Sequence, residues 1–239
     1  VEPQTKTGVT LSLSTNKDRA LLTYMGTIDR VGPEHVPDEL FAEAGHVHFG
    51  SYYLQHRMRH RWADLFAEAG RRGITTSFDL GWDPYETWHK ELVLALLKHT
   101  TLFVPSEDEL KTALGTETLE AALAELEESM FGTPGATREP EGRRLIAVKR
   151  GSAGSLLLEG GERRLAAEPY RIRPVDTTGA GDSFNAGFIY GYLHGRRGER
   201  LLRFANACGA LATLRIGGAG SVPDLAAVES FMREQEALQ

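Results

Sequence analysis

Asp176-Thr177-Thr178-Gly179-Ala180-Gly181-Asp182-Ser183-Phe184-Asn185-Ala186-Gly187-Phe188 is the stretch that decides the reading of this chain. Val175 ends an extended segment, and Gly179-Ala180-Gly181 is small enough for backbone to approach a ligand closely. A helix is predicted to start there, with Phe184, Phe188 and Tyr192 spaced to face inward. The first N–H groups of such a helix lack intrahelical acceptors and sit at the positive end of its dipole. Residues 179 to 182 thus read as an anion cradle, with the Asp182 carboxylate in the first turn beside it. Phosphoryl transfer asks for positioning, charge stabilisation and a base for the attacking hydroxyl, and this stretch offers all three. The plain alternative is an ordinary helix start with Thr178 or Asp182 as its cap.

Outward from this stretch, strands and helices alternate over short links, which predicts a mainly parallel sheet covered on both faces. Towards the N-terminus, Val9 to Leu13 and Ala20 to Met25 read as a hairpin turning at Asn16-Lys17-Asp18. Gly26 to Glu34 reads as a loop. Short strands are predicted at His46 to Gly50, Ile74 to Asp79 and Leu102 to Val104. Leu54, Met58, Trp62, Leu65, Phe66 and Ala69 recur at helical spacing up to Gly73, and Pro84 is read as opening a helix to about Lys98. Helices follow Ser106-Glu107-Asp108-Glu109 and span Thr118 to Met130. Gly132 to Gly142 reads as a surface loop. Strands are read at Leu145 to Lys149, Ser155 to Leu158 and Arg163 to Ala166, the last two joined by a Gly160-Gly161 turn. From Ala180 onward the chain is read as helices to about Gly195, Arg200 to Leu214 and Leu225 to Glu236.

The Asp176–Phe188 stretch resembles the C-terminal signature of the ribokinase-like (PfkB) carbohydrate kinases, Asp-Thr-x-Gly-Ala-Gly-Asp-x-Phe. Five further segments are similar to that family, in order. Thr7-Gly8-Val9 and the hairpin resemble its lid. Val104-Pro105-Ser106-Glu107-Asp108-Glu109-Leu110 resembles its Pro-Asn-x-x-Glu segment, with Ser at 106 in place of the usual Asn. Val148 to Gly154 resembles the strand and turn that border ATP, and Phe204 to Ala210 the helix that walls the adenine. Gly217 to Pro223 resembles the loop that closes over the nucleotide.

The resemblance implies a three-layer α/β/α sandwich with a small β lid, one kinase domain over 1–239, its lid strands at about 8–26 and its nucleotide-binding part at about 104–239. It implies ATP-dependent transfer of the γ-phosphoryl group to a primary hydroxyl of a sugar, with magnesium and a potassium ion. Asp182 would be the general base, and Gly179, Ala180 and Gly181 the anion hole. Lys149, Gly151, Gly154, Asn206, Gly209, Gly217 and Gly218 would border the nucleotide. Glu109 and Ser106 would organise magnesium through water, while Asp176, Thr178 and Ser221, with carbonyls near Ile216 and Gly217, would hold the monovalent cation. Gly50, Ser51 and Asp79 lie at the carboxyl ends of strands, where ligands gather, and would touch the acceptor beside Asp182; a plain Asp turn, with Asp83 as a helix cap, is the equal alternative at Asp79. Lid strands in the family pair between subunits, which implies a homodimer. Family members also begin with a strand, a substrate-binding Asp and a Gly-Gly-x-x-x-Asn segment. About 80 residues of a roughly 300-residue domain are therefore expected to lie outside this sequence, and the chain alone is expected to be a weak catalyst. A nucleoside kinase of the same fold and a nucleotide-binding regulatory fragment are the alternatives.

Composition bounds these readings. The 239 residues carry a net charge of −6, which argues against broad nucleic-acid binding. The longest clean apolar run, Leu92 to Leu97, is far below the ~20 residues a spanning helix needs, so no membrane partner is expected. A single cysteine, Cys208, excludes an intrachain disulfide and fits a reducing, cytoplasmic compartment. His46 with His48, and His56 with His60, are metal-compatible pairs without a third ligand at fitting spacing, and read as packing or surface residues. Arg57, Arg59 and Arg61 read as a solvated helix face. A nicotinamide-binding Gly-x-Gly-x-x-Gly would need Gly at position 184, where Phe stands.

Overall fold

The computed structural model describes residues 4–14, 19–132, 144–160, 163–218, 220 and 222–237. Three sequence-based expectations fall elsewhere: the Asn16-Lys17-Asp18 turn, most of the Gly132 to Gly142 loop, and Ser221; so does Gly161 of the predicted turn. The chain forms two compact units, Val1–His99 and Thr100–Gln239.

In the first unit, β1 (Val9–Ser14) pairs antiparallel with β2 (Arg19–Tyr24). Directly opposed residues share a face of such a ribbon. Val9 with Tyr24 and Leu11 with Leu22 therefore form an apolar stripe, and all four side chains are exposed. Gly26 to Glu34, expected as loop, contains two short 3-10 turns. After α1 (Leu40–Glu43), β3 (His46–Phe49) runs parallel to β4 (Thr75–Phe78) through α2 (Trp62–Arg71). The link holds because Phe49 stacks on Trp62 at 3.8 Å and on Phe78 at 5.4 Å, with Phe66 against both.

Two helix expectations are corrected here. The helix predicted from Leu54 covers only Trp62–Arg71. Ahead of it, Tyr52–Leu54 is a 3-10 turn because the backbone is held elsewhere: the Tyr52 and Tyr53 amides donate to the Asp79 and Leu80 carbonyls. The helix predicted from Pro84 starts at Lys90, as α3 (Lys90–Leu97). Asp83, with no exposed surface, gathers the segment instead. Its carboxylate accepts the amides of Tyr85, Thr87 and Trp88 and the Thr87 hydroxyl, all between 2.8 and 3.0 Å. Glu86, Trp88 and His89 take positive φ to complete that turn, a strain the four bonds offset.

Burial pushes the Asp83 carboxyl up, but the amides of Trp88, Tyr85 and Thr87 and the Thr87 hydroxyl outweigh it and hold it below its ordinary 3.8. A carboxyl depressed by folding stabilises above its unfolded value, and that contribution is lost as pH falls through the folded one. Asp83→Asn, which turns one acceptor into a donor facing amides, is expected to cost about 2–3 kcal/mol at neutral pH. Urea unfolding at pH 7 and again below pH 3.8 checks this, since the gap to wild type should narrow in acid.

The second unit begins with β5 (Leu102–Phe103), α4 (Glu107–Leu114) and α5 (Leu119–Phe131). β6 (Leu145–Lys149) runs parallel to β5, then β7 (Ser155–Glu159) and β8 (Arg163–Ala167) add antiparallel strands. Leu145 to Val148 have no exposed surface, as expected for a strand covered on both faces. α6 (Ala180–Leu193), α7 (Gly198–Ala212) and α8 (Leu225–Glu236) complete the unit. Phe184, Phe188 and Tyr192 of α6 pack with Leu145, Ala147 and Leu157, so the helix predicted to carry the site is anchored in the core. α7 lies close along α6: a Cβ on Gly187 would meet the Cys208 sulfur at 2.6 Å, and one on Gly209 the Ala180 carbonyl at 3.1 Å. Among the described residues, no helix is long and apolar enough to cross a membrane.

Candidate functional site

The head of α6 has the geometry of an anion cradle. Gly179 caps it with φ 78°, and the Ser183 amide returns to the Gly179 carbonyl at 2.9 Å. The Ala180 amide donates to Thr177, whereas those of Gly181 and Asp182 find no acceptor among the described residues. Asp182 is exposed beside them.

Asp176 fixes the approach to this cradle. One carboxylate oxygen accepts the Thr178 amide at 2.9 Å and the other the Gly217 amide at 3.0 Å. The amides of Val175 and Asp176 donate to Thr213. These bonds draw the 217–218 segment onto the motif so closely that a Cβ on Gly179 would lie 3.0 Å from the Gly218 Cα. Asp176, Thr178, Gly217 and Gly218 thus converge with the cradle. The structure gives Asp176 an amide-holding role that the sequence reading, which expected a cation ligand, did not include.

A second line of side chains reaches the cradle from β6. Lys149 Nζ donates to Asn185 Oδ1 at 3.0 Å and lies 3.6 Å from where a Cβ on Gly181 would stand. Behind Lys149, its amide donates to Pro105, and Ser106 pairs with it in a parallel bridge. Ser106 caps α4: its hydroxyl accepts the Glu109 amide at 3.3 Å, and Glu109 Oε2 accepts the Ser106 amide at 2.9 Å. This reciprocal box places both expected magnesium residues at one helix start, with one Glu109 oxygen committed to backbone. Among the described residues, no three His, Cys, Asp or Glu converge to hold a metal ion. Magnesium fits this arrangement only in its usual manner, through water, one carboxylate and substrate phosphates.

Two of the remaining nucleotide-border residues, Asn206 and Gly154, meet at the end of β8. Asn206 donates to the carbonyls of Ala167 and Glu168 at 3.3 and 3.2 Å. Gly154 faces the same Ala167 carbonyl. Gly209 lies by the Ala180 carbonyl, while Gly151, in an exposed turn, has nothing within 4 Å of a would-be Cβ.

The pfkB family carbohydrate kinase profile matches residues 1–225, across both units. The chain belongs to the pfkB family of carbohydrate kinases. An ATP-dependent ribose-1-phosphate kinase from Halopiger xanaduensis is 33% identical over 216 residues, covering 90% of this chain and 64% of the relative. The chain spans less than two thirds of the length of this and other curated relatives, among them an uncharacterised sugar kinase of Archaeoglobus fulgidus at 54%. A candidate ribokinase II from E. coli, solved with ATP and Mg2+, matches with a TM-score of 0.80 and 26% identity over 97% of this chain and 72% of that one. Arabidopsis thaliana ribokinase complexed with ribose and ATP matches with a TM-score of 0.77 and 25% identity, covering 96% of this chain and 70% of that one. The ribokinase-like α/β fold expected from the signature is thereby established.

Within this pfkB chain, the first unit brings its own predicted residues together. Asp79 Oδ1 accepts the Ser51 amide at 2.7 Å, and a Cβ on Gly50 would sit 3.7 Å from the same oxygen. Ser51 takes a left-handed φ of 56° that this bond helps to hold. Gln55 donates to the Gly50 carbonyl at 2.7 Å.

The histidine readings resolve into packing and pairing, whereas Arg57, Arg59 and Arg61, expected on a solvated helix face, lie in turns ahead of α2. Both His46 Nε2 and His48 Nδ1 lie 2.8 Å from the Ser77 hydroxyl, and His46 is pushed down to about 4 by burial and by His48. His56 pairs with Asp29, and Arg57 and Arg61 with Glu34 and Asp64. Arg59 donates to the Tyr53 carbonyl. Asn185 is the residue the sequence reading passed over. It was visible within the signature, but only its contact with Lys149 separates it from the core positions around it.

Proposed function

We propose that this pfkB-family chain carries the catalytic part of an ATP-dependent sugar kinase. The observation that carries the reading is the pair of unsatisfied amides at Gly181 and Asp182 with an exposed carboxylate beside them. ATP supplies the phosphoryl group, and Glu109 and Ser106 would hold, through water, a magnesium ion whose charge would offset that of the phosphates. Asp182 takes the proton of the acceptor's primary hydroxyl as that oxygen bonds to phosphorus. The bond from phosphorus to the ADP oxygen breaks, and the Gly179 to Asp182 backbone receives the charge of the transferred group. Gly151, Gly154, Asn206, Gly209, Gly217 and Gly218 border the nucleotide, and Asp79, Gly50 and Ser51 face the acceptor.

The relative that acts on ribose-1-phosphate and the neighbour crystallised with ribose and ATP support a pentose or pentose phosphate as acceptor. Potassium at Asp176, Thr178, Ser221 and the carbonyls near Ile216 and Gly217 has weaker support, because both Asp176 oxygens already accept amides. The two units are read as one kinase domain in a cytoplasmic protein. The exposed apolar stripe of the β1–β2 lid is read as the surface that pairs two copies.

The test is ADP release from ATP with magnesium against a panel of pentoses, their phosphates, hexoses and nucleosides, with and without potassium. One pentose-class acceptor driving turnover, alone or after the chain is extended upstream, is the expected result. Turnover with nucleosides only would replace the acceptor class. Nucleotide binding without any phosphorylated product would favour a regulatory role.

A further inference from the structure

We propose that Lys149 supplies the positive charge that meets the phosphoryl group at the head of α6, with Asn185 as the residue that positions it. The inference rests on the kinase reading and assigns a specific task within it. Lys149 ends β6, and its side chain runs to the first turns of α6, where Nζ lies 3.6 Å from a would-be Cβ on Gly181. That is the neighbourhood of the two amides without acceptors.

The ammonium is half-buried, and its hydrogen-bond partner is the neutral Asn185 carbonyl oxygen at 3.0 Å. Among the described residues, no carboxylate pairs with it. An ammonium has three donors, so an amide carbonyl leaves donors and a full charge available to an anion. A cation withdrawn from water without a counterion is costly, and a phosphoryl group in the cradle would offset that cost.

Asn185 is suited to the positioning task. It is 97% buried, one turn into α6, and its backbone is locked by the core packing of Phe184 and Phe188. Its oxygen therefore aims the flexible lysine along the helix towards the cradle. A neutral partner does this without cancelling the charge, as a carboxylate at the same place would. Lys149 forms no covalent bond and moves no proton; it attracts charge that builds on the transferred group.

The experiment compares the full chain with Lys149→Met and Lys149→Arg, titrating each with ADP and with the β,γ-imido analogue of ATP in the presence of magnesium. Lys149→Met is expected to weaken the analogue by about 10-fold or more and ADP by less than about 3-fold, with kcat down by ~100-fold on whichever acceptor the substrate panel identifies. Lys149→Arg keeps the charge and is expected to recover most of the analogue's affinity. Equal losses for both nucleotides, or a Met variant that binds both like wild type, would overturn the assignment while leaving the kinase reading intact. A wild-type chain that binds neither nucleotide would overturn that reading, and this inference with it. A clamp that merely joins β6 to α6 would lower the unfolding temperature without the selective loss of the analogue.

Discussion

Asp182→Asn is expected to lower kcat by ~10²–10⁴-fold with little change in nucleotide affinity. The substitution keeps shape and backbone, so the amide that the cradle needs at position 182 stays in place. Among the described residues the Asp182 side chain makes no hydrogen bond or ion pair, and it is exposed, so folding does not depend on it. What disappears is the proton acceptor. Measuring kcat and the nucleotide dissociation constant side by side separates base from binder. An Asn variant at full rate would remove Asp182 from the chemistry. Equal losses in affinity and rate would make it a binding group.

The second large effect concerns Gly154. Its φ of 80° and ψ of −134° lie where residues with a Cβ rarely go. A Cβ there would come within 2.1 Å of the Ala167 carbonyl oxygen and 3.0 Å of the Pro169 nitrogen, both backbone. Neither can swing aside as a side chain would. Ala167 pairs with Ser155 across β7 and β8 and also accepts from Asn206. Gly154→Ala should therefore cost about 2–6 kcal/mol, combining a backbone penalty of ~1–3 with an overpacking penalty of similar size. That is a large share of the ~5–15 kcal/mol that holds a typical domain together. Gly45→Ala, where nothing lies within 4 Å of the new methyl, is the matched control and should move stability by less than ~0.5 kcal/mol. Urea midpoints of the two variants measure the contrast, and a Gly154→Ala midpoint like that of the control would refute the steric account.

Where local chemistry and burial point the same way, the sequence is a sufficient guide. Leu225–Glu236 is helical over the span predicted, with Asp224 accepting the Ala227 amide as its cap. The α6 start follows from Gly-Ala-Gly and the inward aromatics, and the helix start read at Ser106-Glu107-Asp108-Glu109 is present, closed in the structure by a Ser106–Glu109 capping box that the sequence reading does not name. The failures come where one side chain overrides a periodic pattern. Pro84 suits a helical first turn, but the buried Asp83 collects four donors and turns the chain away until Lys90. Leu54 and Met58 keep helical spacing, yet the backbone at 52 and 53 is already bonded to residues 79 and 80. In the site, the signature announces the cradle and Asp182. Asp176 as a two-amide clasp and Asn185 as the partner of Lys149 depend on contacts 41 and 36 residues apart, which no local pattern encodes.

The close passage of α7 over Gly187 also gives the molecule a clock. Cys208 is the chain's one thiol, it sits in that contact, and burial pushes it up to about 12. A thiol so held is nearly inert towards alkylating reagents, whose target is the thiolate. Modification must wait until the packing around the thiol opens, against Gly187 on one side or Val228 and Phe231 of α8 on the other. The rate at which a maleimide enters therefore counts the openings of this packing, in unmodified protein and without an added label.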